Sequence, residues 1–393
     1  SVYAGDIDGD GDNDIVACAS DAAQIAIWIN TGTNQLTFEK QVVRNNYLWA
    51  HEVYLTDIDS DGDLDILAAS SSLNQISLFT NLGGSPIIWE EKIIGDNFTQ
   101  AKSVTAGDID NDGLVDIAAA SLLENQIAWW KNNSDNSWTK QIISSSFAGA
   151  HRVQLVDIDK DGWLDILASG WYANEIAWWK NSGGTHITWS KQIIGSNFMR
   201  TCVAYSIDID NDGNNDVIGT AQDGDHVAVW INDGGQPISW TKLVIDNNFD
   251  RVWPLHANDL DNDGDIDIIA GSGHQGNDEI RWYENLLNTS GILIEQIYAP
   301  AHFSFYQNYP NPFNPETTIE YYIPETSIAQ ISIFNSVGEK VAELLNEIKN
   351  EGYHNIKWNG SDFSSGVYFV RLTSYSLDNN YSVQKIVKAI LQK

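Results

Sequence analysis

The chain has 393 residues, with 54 Asp and Glu against 21 Lys and Arg, a formal net charge of -33. That balance excludes nucleic acid and anionic membrane surfaces as partners, because a phosphate backbone needs a basic face. It favours cations or neutral ligands. A hydrophobic share of 42% is too high for a disordered acidic chain, and no apolar run of about 18 residues encodes a transmembrane helix. Two cysteines, Cys18 and Cys202, exclude a disulfide framework and are expected to be free and buried in non-adjacent repeats. Residues 301–393 carry nine acids and seven bases, so the negative charge lies almost wholly in the first 300 residues and marks a boundary.

The chain opens at Ser1, directly in strand-like sequence and without a charged and apolar leader, and is read as truncated or processed there. The pattern Asp-x-Asp-x-Asp-Gly-x-x-Asp then recurs six times, from Asp6, Asp57, Asp108, Asp157, Asp208 and Asp259, at spacings of 51, 51, 49, 51 and 51. A segment of type IAWWKN follows in phase at 25–30, 76–81, 127–132, 176–181, 227–232 and 280–285. A third recurring segment starts at Phe38, Trp89, Trp138, Trp189 and Trp240. In the second repeat, strands are expected at 53–56, 65–69, 76–80 and about 88–94. β-branched and aromatic residues fill these runs, and Gly, Asn, Asp and Ser separate them. No 3.6-residue apolar period appears in the first 300 residues.

Four short strands per repeat of this length predict an all-β fold, a six- or seven-bladed β-propeller with six visible blades over residues 1–298. The repeats start near 1, 50, 101, 150, 201 and 252. A single blade cannot bury both of its faces. Trp129, Trp130, Trp178, Trp179, Trp189, Trp230 and Trp240 are therefore expected to pack between blades.

The acidic loops have the chemistry of calcium sites. Carboxylates at positions 1, 3 and 5 face one centre when Gly at position 6 turns the backbone sharply, and a carbonyl at 7 with a carboxylate at 9 completes an oxygen cage. Without a cation, converging carboxylates repel and raise one another's pKa. The carboxylate ligands expected in the first three loops are Asp6, Asp8, Asp10 and Asp14; Asp57, Asp59, Asp61 and Asp65; and Asp108, Asp110, Asp112 and Asp116. The last three supply Asp157, Asp159, Asp161 and Asp165; Asp208, Asp210, Asp212 and Asp216; and Asp259, Asp261, Asp263 and Asp267. Position 7 falls on Asp12, Asp63, Leu114, Trp163, Asn214 and Asp265. Position 12 is Ala or Gly, and strand-like sequence follows, so these are hairpin loops and not EF-hands. Up to six structural Ca²⁺ ions would clip the first two strands of each blade together.

Ligand-binding candidates are residues that break the repeat at the end of the blades away from these loops. Six positions before each acidic start lie His51, Lys102, His151, Cys202 and Trp253, which could ring the axis. Two places earlier lie Trp49, Gln100, Gly149, Arg200 and Arg251. The loops between second and third strands add Trp171, Tyr172 and His274, with His256 nearby. Out-of-phase aromatics beside Arg and His suit a sugar site, where a ring stacks and polar groups fix hydroxyls. His51 or His151 could also act as a base, with Lys102 or Arg152 steadying a uronate carboxylate. No local catalytic motif accompanies them.

From Phe303 the texture changes. Alternating runs at 318–323, 329–334, 353–358 and 366–372, punctuated by Gly338, Gly352 and Gly366, predict a small β-sandwich over 303–393. Residues 341–348 are read as strand and turn rather than helix, because alternation is strong on either side.

On the DxDxDGxxD loops, residues 1–298 resemble the FG-GAP/VCBS repeats of integrin-α-type propellers. That resemblance implies calcium, and a group that includes adhesion modules, fungal lectins and some polysaccharide lyases. On YQNYPNPFNPETTIEYYIP (306–324), IFNSVGEKV (333–341) and SGVYFVRL (365–372), the tail resembles the type A C-terminal sorting domain of the type IX secretion system. It implies that machinery as a partner, export across the outer membrane with release or surface attachment, removal of the tail, and a signal peptide ahead of the present start. The combined expectation is a secreted or cell-surface, calcium-binding adhesion module for glycans or surface polymers. The alternatives are a polysaccharide lyase on the same scaffold, or a scaffold within a longer protein.

Overall fold

The computed structural model describes all residues except 33–36, 136, 273–278, 286–293, 298–303, 307, 324–325, 337, 351 and 378–381. Two compact units are present, one of residues 1–278 and 283–296, the other of 279–282 and 297–393. The expected domain limits at 298 and 303 lie outside the described residues. Among the described residues every element is a strand, and no helix is long and apolar enough to cross a membrane.

The first unit is a β-propeller of six four-stranded antiparallel blades, each built from strands consecutive in the chain. The first strands are Val2–Gly5, Ala50–Thr56, Ala101–Gly107, Ala150–Val156, Thr201–Ile207 and Val252–Asn258. They line the axis, each against the next. In the second blade the remaining strands are Asp65–Ser70, Gln75–Asn81 and Trp89–Gly95. The second strands of blades 2 to 5 are wholly buried, whereas the fourth strand of the second blade is exposed at Glu90, Glu91 and Ile93.

Hydrophobic cores lie between blades rather than within them. Neighbouring residues of a strand point to opposite faces, so the Trp129–Trp130 pair fills two cores at once. Trp130 packs with Leu67, Ile76 and Phe98 on one side, and Trp129 with Phe147, Ile166 and Trp179 on the other. Trp178 and Trp230 share the next core, and Trp189 and Trp240 lie against the same set of cores, as expected from the repeat. The fit is close at Gly95, where an added Cβ would meet the Trp130 ring at 2.5 Å. Cys18 and Cys202 are free and buried.

The second unit is a β-sandwich. One sheet holds 304–305, 316–323 and 352–359, and the other runs in the order 340–349, 327–335, 366–376 and 382–391. Ile319, Tyr321 and Trp358 of the first sheet meet Ile331, Ile333, Val370 and Leu372 of the second in one core. Residues 340–349 form a strand, not a helix.

Candidate functional site

The six acidic loops share one internal geometry. Gly at position 6 donates its N–H to the position-1 carboxylate at 2.8–3.2 Å in every loop, and the position-7 N–H donates to the position-5 carboxylate. Both turns need left-handed backbone: position 6 has φ between +88° and +100°, and position 4 is Gly9, Ser60, Asn111, Lys160, Asn211 or Asn262, all with positive φ. Position 9 differs in kind. Asp14, Asp65, Asp116, Asp165, Asp216 and Asp267 are fully buried. One oxygen of each accepts from the N–H of position 2, and the other from the N–H of the Asn that ends the third strand. Burial pushes four of these carboxyls up, Asp65 to about 6 and Asp116, Asp165 and Asp216 to about 7, against the pull of those amides.

These loops have the donor set for a hard cation. In at least five of them three Asp oxygens lie within 4.8 Å of one another: Asp6, Asp8 and Asp10; Asp57, Asp59 and Asp61; Asp108, Asp110 and Asp116; Asp157, Asp159 and Asp165; and Asp208, Asp210 and Asp216. Oδ1 of Asp6, of Asp110 and of Asp159 is buried without a hydrogen-bond partner, and a cation would satisfy such oxygens. In blades 3 and 4 a side chain already supplies positive charge. Lys131 reaches Asp110 and Asp112, and Lys180 reaches Asp159 and Asp161. The equivalent positions elsewhere are Ile29, Thr80, Ile231 and Glu284.

At the other end of the axis, each of the last five inner strands opens on a β-bulge. Ala50 pairs with Ser70 and Glu52 with Ala69, leaving His51 between them. The same slip falls at Lys102, His151 and Cys202, and in the last blade at Trp253 and Pro254. A bulge re-aims its side chain, and these residues together line one cavity of about 200 Å³ with Ser1, Glu52, Ser103 and Arg152.

Both cavity histidines are held in one tautomer. His51 Nδ1 lies 2.9 Å from the Lys102 carbonyl, and His151 Nδ1 lies 2.9 Å from the Cys202 carbonyl. A carbonyl only accepts, so Nδ1 carries the proton and Nε2 remains an acceptor. Burial, reinforced by the Lys102 charge, lowers His151 to about 3 and takes His51 well below the ordinary imidazole value. His151 Nε2 is buried with no partner. Trp171 stacks on His151 at 5.1 Å, and Trp253 lies 5.4 Å from His151 and 5.2 Å from Trp171. Arg200 sits over Trp171 at 5.5 Å and pairs with Asp223 at 2.8 Å.

The other candidates from the sequence lie elsewhere. Trp49, Gln100, Gly149, Arg200 and Arg251 are blade-to-blade corners with φ between +50° and +64°, and Trp49 is 57% exposed. Tyr172 is exposed and packs beside Gly149. His256 sits three residues further along its strand than Trp253, exposed and 5.9 Å from Tyr205, and does not line the cavity. His274 lies outside the described residues. The sequence reading missed the Asn that ends each third strand: Asn81, Asn181 and Asn285 donate across to the Ile7, Ile109 and Ile209 carbonyls of the preceding blade. It also missed an open hollow of about 840 Å³ beside Lys131, lined by Trp129, Trp163 and His186. The signal there was Trp163 itself, bulky where the other loops carry Asp, Asn or Leu.

Comparison with known proteins follows this division. Residues 6–68, 57–119, 108–168 and 208–270 match the FG-GAP-like repeat, more than half of the chain. Residues 307–389 match the secretion system C-terminal sorting domain. No curated protein matches the chain. Among solved structures, one similar in fold is an Agrocybe aegerita lectin described as recognising non-reducing terminal N-acetylglucosamine. It is 18% identical with a TM-score of 0.52, and 75% of this chain and 79% of that one are covered. A protein of unknown function from Desulfotomaculum acetoxidans is 10% identical with a TM-score of 0.47, covering 86% and 98%.

Proposed function

The chain belongs to the FG-GAP-like repeat proteins, and from that premise we infer that it is a surface-exported binding module for glycans or other surface polymers. Its C-terminal sorting domain marks it for the type IX machinery and for export to the cell surface or secretion. Residues 303–393 are the export unit and 1–298 the functional one. The binding reading rests on the convergence of His51, Lys102, His151 and Trp253 in one cavity, with Trp171 stacked beside it. Flat rings with a few fixed polar groups are what a sugar needs, a hydrophobic face and hydroxyl partners. The fold likeness to a lectin is consistent with this reading. Purified protein on a glycan array, with and without Ca²⁺, tests it: binding should appear and weaken at least tenfold in Trp253→Ala and Trp171→Ala. An array blank for the folded protein would overturn it.

Calcium is the ion that the loops would hold, through the carboxylates at positions 1, 3, 5 and 9 and the position-7 carbonyl. Its contribution is structural, closing the hairpin between the first two strands of a blade.

One observation favours a second reading, lyase action. His151 Nε2 is an unprotonated, unpartnered base beside Lys102. Ultraviolet absorbance of unsaturated uronate released from uronate polymers tests it, and its loss in His151→Ala would establish an enzyme.

A further inference from the structure

The cavity at the axis is unlike the rest of the molecule in charge. In a chain of net charge -33, with 54 acids against 21 bases, Lys102 has no ion pair among the described residues. Burial alone acts on its ammonium, with no acidic group to offset it. Glu52 is the one carboxylate in the cavity wall. It is 4% exposed and already engaged by Arg152 at 2.9 Å and by the Val104 N–H at 3.0 Å. A half-buried ammonium without a counter-ion gains when something supplies the charge.

The remaining polar groups narrow what that something is. His151 is 4% exposed, and its Nδ1 proton is taken by the Cys202 carbonyl, so the unpartnered Nε2 accepts and cannot donate. His51 is held in the same way by Lys102. A fully deprotonated inorganic anion would satisfy Lys102 but would set lone pairs against lone pairs at the imidazoles. The wall therefore requires one molecule carrying both a negative group and hydroxyl donors. Its size adds a limit: about 200 Å³ is below the roughly 300 Å³ at which pockets for drug-sized ligands begin. That leaves room for a single sugar ring rather than a chain.

We propose that the axial cavity takes a carboxylated sugar residue, its carboxylate on Lys102, its hydroxyls donating to Nε2 of His51 and His151, and its ring face on Trp253. This rests on the binding-module reading above and names the ligand class of the same site.

The test is an NMR titration of the whole chain in Ca²⁺ with D-glucuronate, D-glucose and acetate as separate probes. The expected result is that glucuronate binds at least tenfold more tightly than either glucose or acetate. Lys102→Gln and, as a second variant, Lys102→Met should bring glucuronate down to the level of glucose measured on the same variant. Intact melting curves would show that both variants fold. Equal affinity for glucuronate and glucose overturns the proposal and leaves glycan binding standing, as does a glucuronate affinity unmoved by Lys102→Gln. Should the variants fail to fold, the glucuronate-to-glucose ratio of the unmodified chain still decides. Absence of any sugar binding, on the array and here, overturns both readings.

Discussion

The Lys180 ammonium lies 2.8 Å from the Asp161 carboxylate, in the middle of the fourth acidic loop, and also contacts Asp159. Lys131 does the same in the third loop, with Asp112 at 2.6 Å. Six loops with the same motif are therefore not equal: two have a lysine counter-charge from the third strand, where the other four have Ile29, Thr80, Ile231 or Glu284. A cation entering loop 3 or 4 must displace a lysine from partly exposed carboxylates, at a cost of about 1 kcal/mol. Lys131→Ile with Lys180→Ile, the residue found in blades 1 and 5, should tighten Ca²⁺ at these two loops roughly fivefold. Calorimetric titration of chelator-treated protein checks it. Identical isotherms for the two proteins would mean that the lysines leave the loops at no cost.

Metal removal should act on stability as a whole. An ion at 100 times its dissociation constant contributes about 2.7 kcal/mol, and several loops act together on one ring of blades. Excess chelator should lower the melting temperature by about 10 °C or more, and Ca²⁺ should restore it. A melting curve indifferent to chelator would remove the metal from the account.

Positions 5 and 9 of a loop should separate cleanly. Asp216 accepts from the Ile209 N–H at 3.0 Å and the Asn232 N–H at 2.8 Å, fully buried. Asp212 is exposed and accepts from its own loop. Asp216→Ala leaves two buried amides unpaired and should cost about 3 kcal/mol with or without Ca²⁺. Asp212→Ala should destabilise in Ca²⁺ and be nearly neutral in chelator. Thermal melts in the two conditions read both, and a penalty for Asp216→Ala that vanished in chelator would make position 9 a ligand only.

Much of this was legible in the sequence because a repeat makes equivalent residues visible. The loop period gave the blades, the Trp pairs gave the inter-blade cores, and Gly at position 6 marked the sharp turn of each loop, whereas the left-handed position 4, which is Ser60 or Lys160 in two loops, carried no uniform signal. Phase, however, does not give direction. His51, Lys102, His151, Cys202 and Trp253 were equivalent on paper, but only the bulges turn them inward. His256 and Trp49 looked just as suitable, but the first is exposed three residues further along its strand, beside Tyr205, and the second lies on an exposed corner. The terminal Asn of the third strand recurred as plainly as the Trp pair. Its cross-blade bond to a carbonyl 72–76 residues earlier depends on how blades stack, which no single repeat encodes.

The same burial that readies His151 to accept should make the fold acid-sensitive. Facing Lys102, Arg152, His51 and the Cys202 carbonyl, and covered by Trp171 and Trp253, His151 is held neutral with its pKa lowered from 6.5 to about 3. The unfolded chain binds this proton more readily than the folded one. Stability is therefore complete above about pH 6.5 and falls as pH drops towards 3, by up to about 1.4 kcal/mol per pH unit. Between pH 7 and pH 5 that amounts to about 2 kcal/mol. Acidic-loop carboxylates titrate in the same range, so the informative quantity is a difference. In Ca²⁺, the unmodified chain should lose about 2 kcal/mol more than His151→Asn over this interval. Parallel pH profiles for the two proteins would place the imidazole in water, and the ring of bulges would then not enclose it.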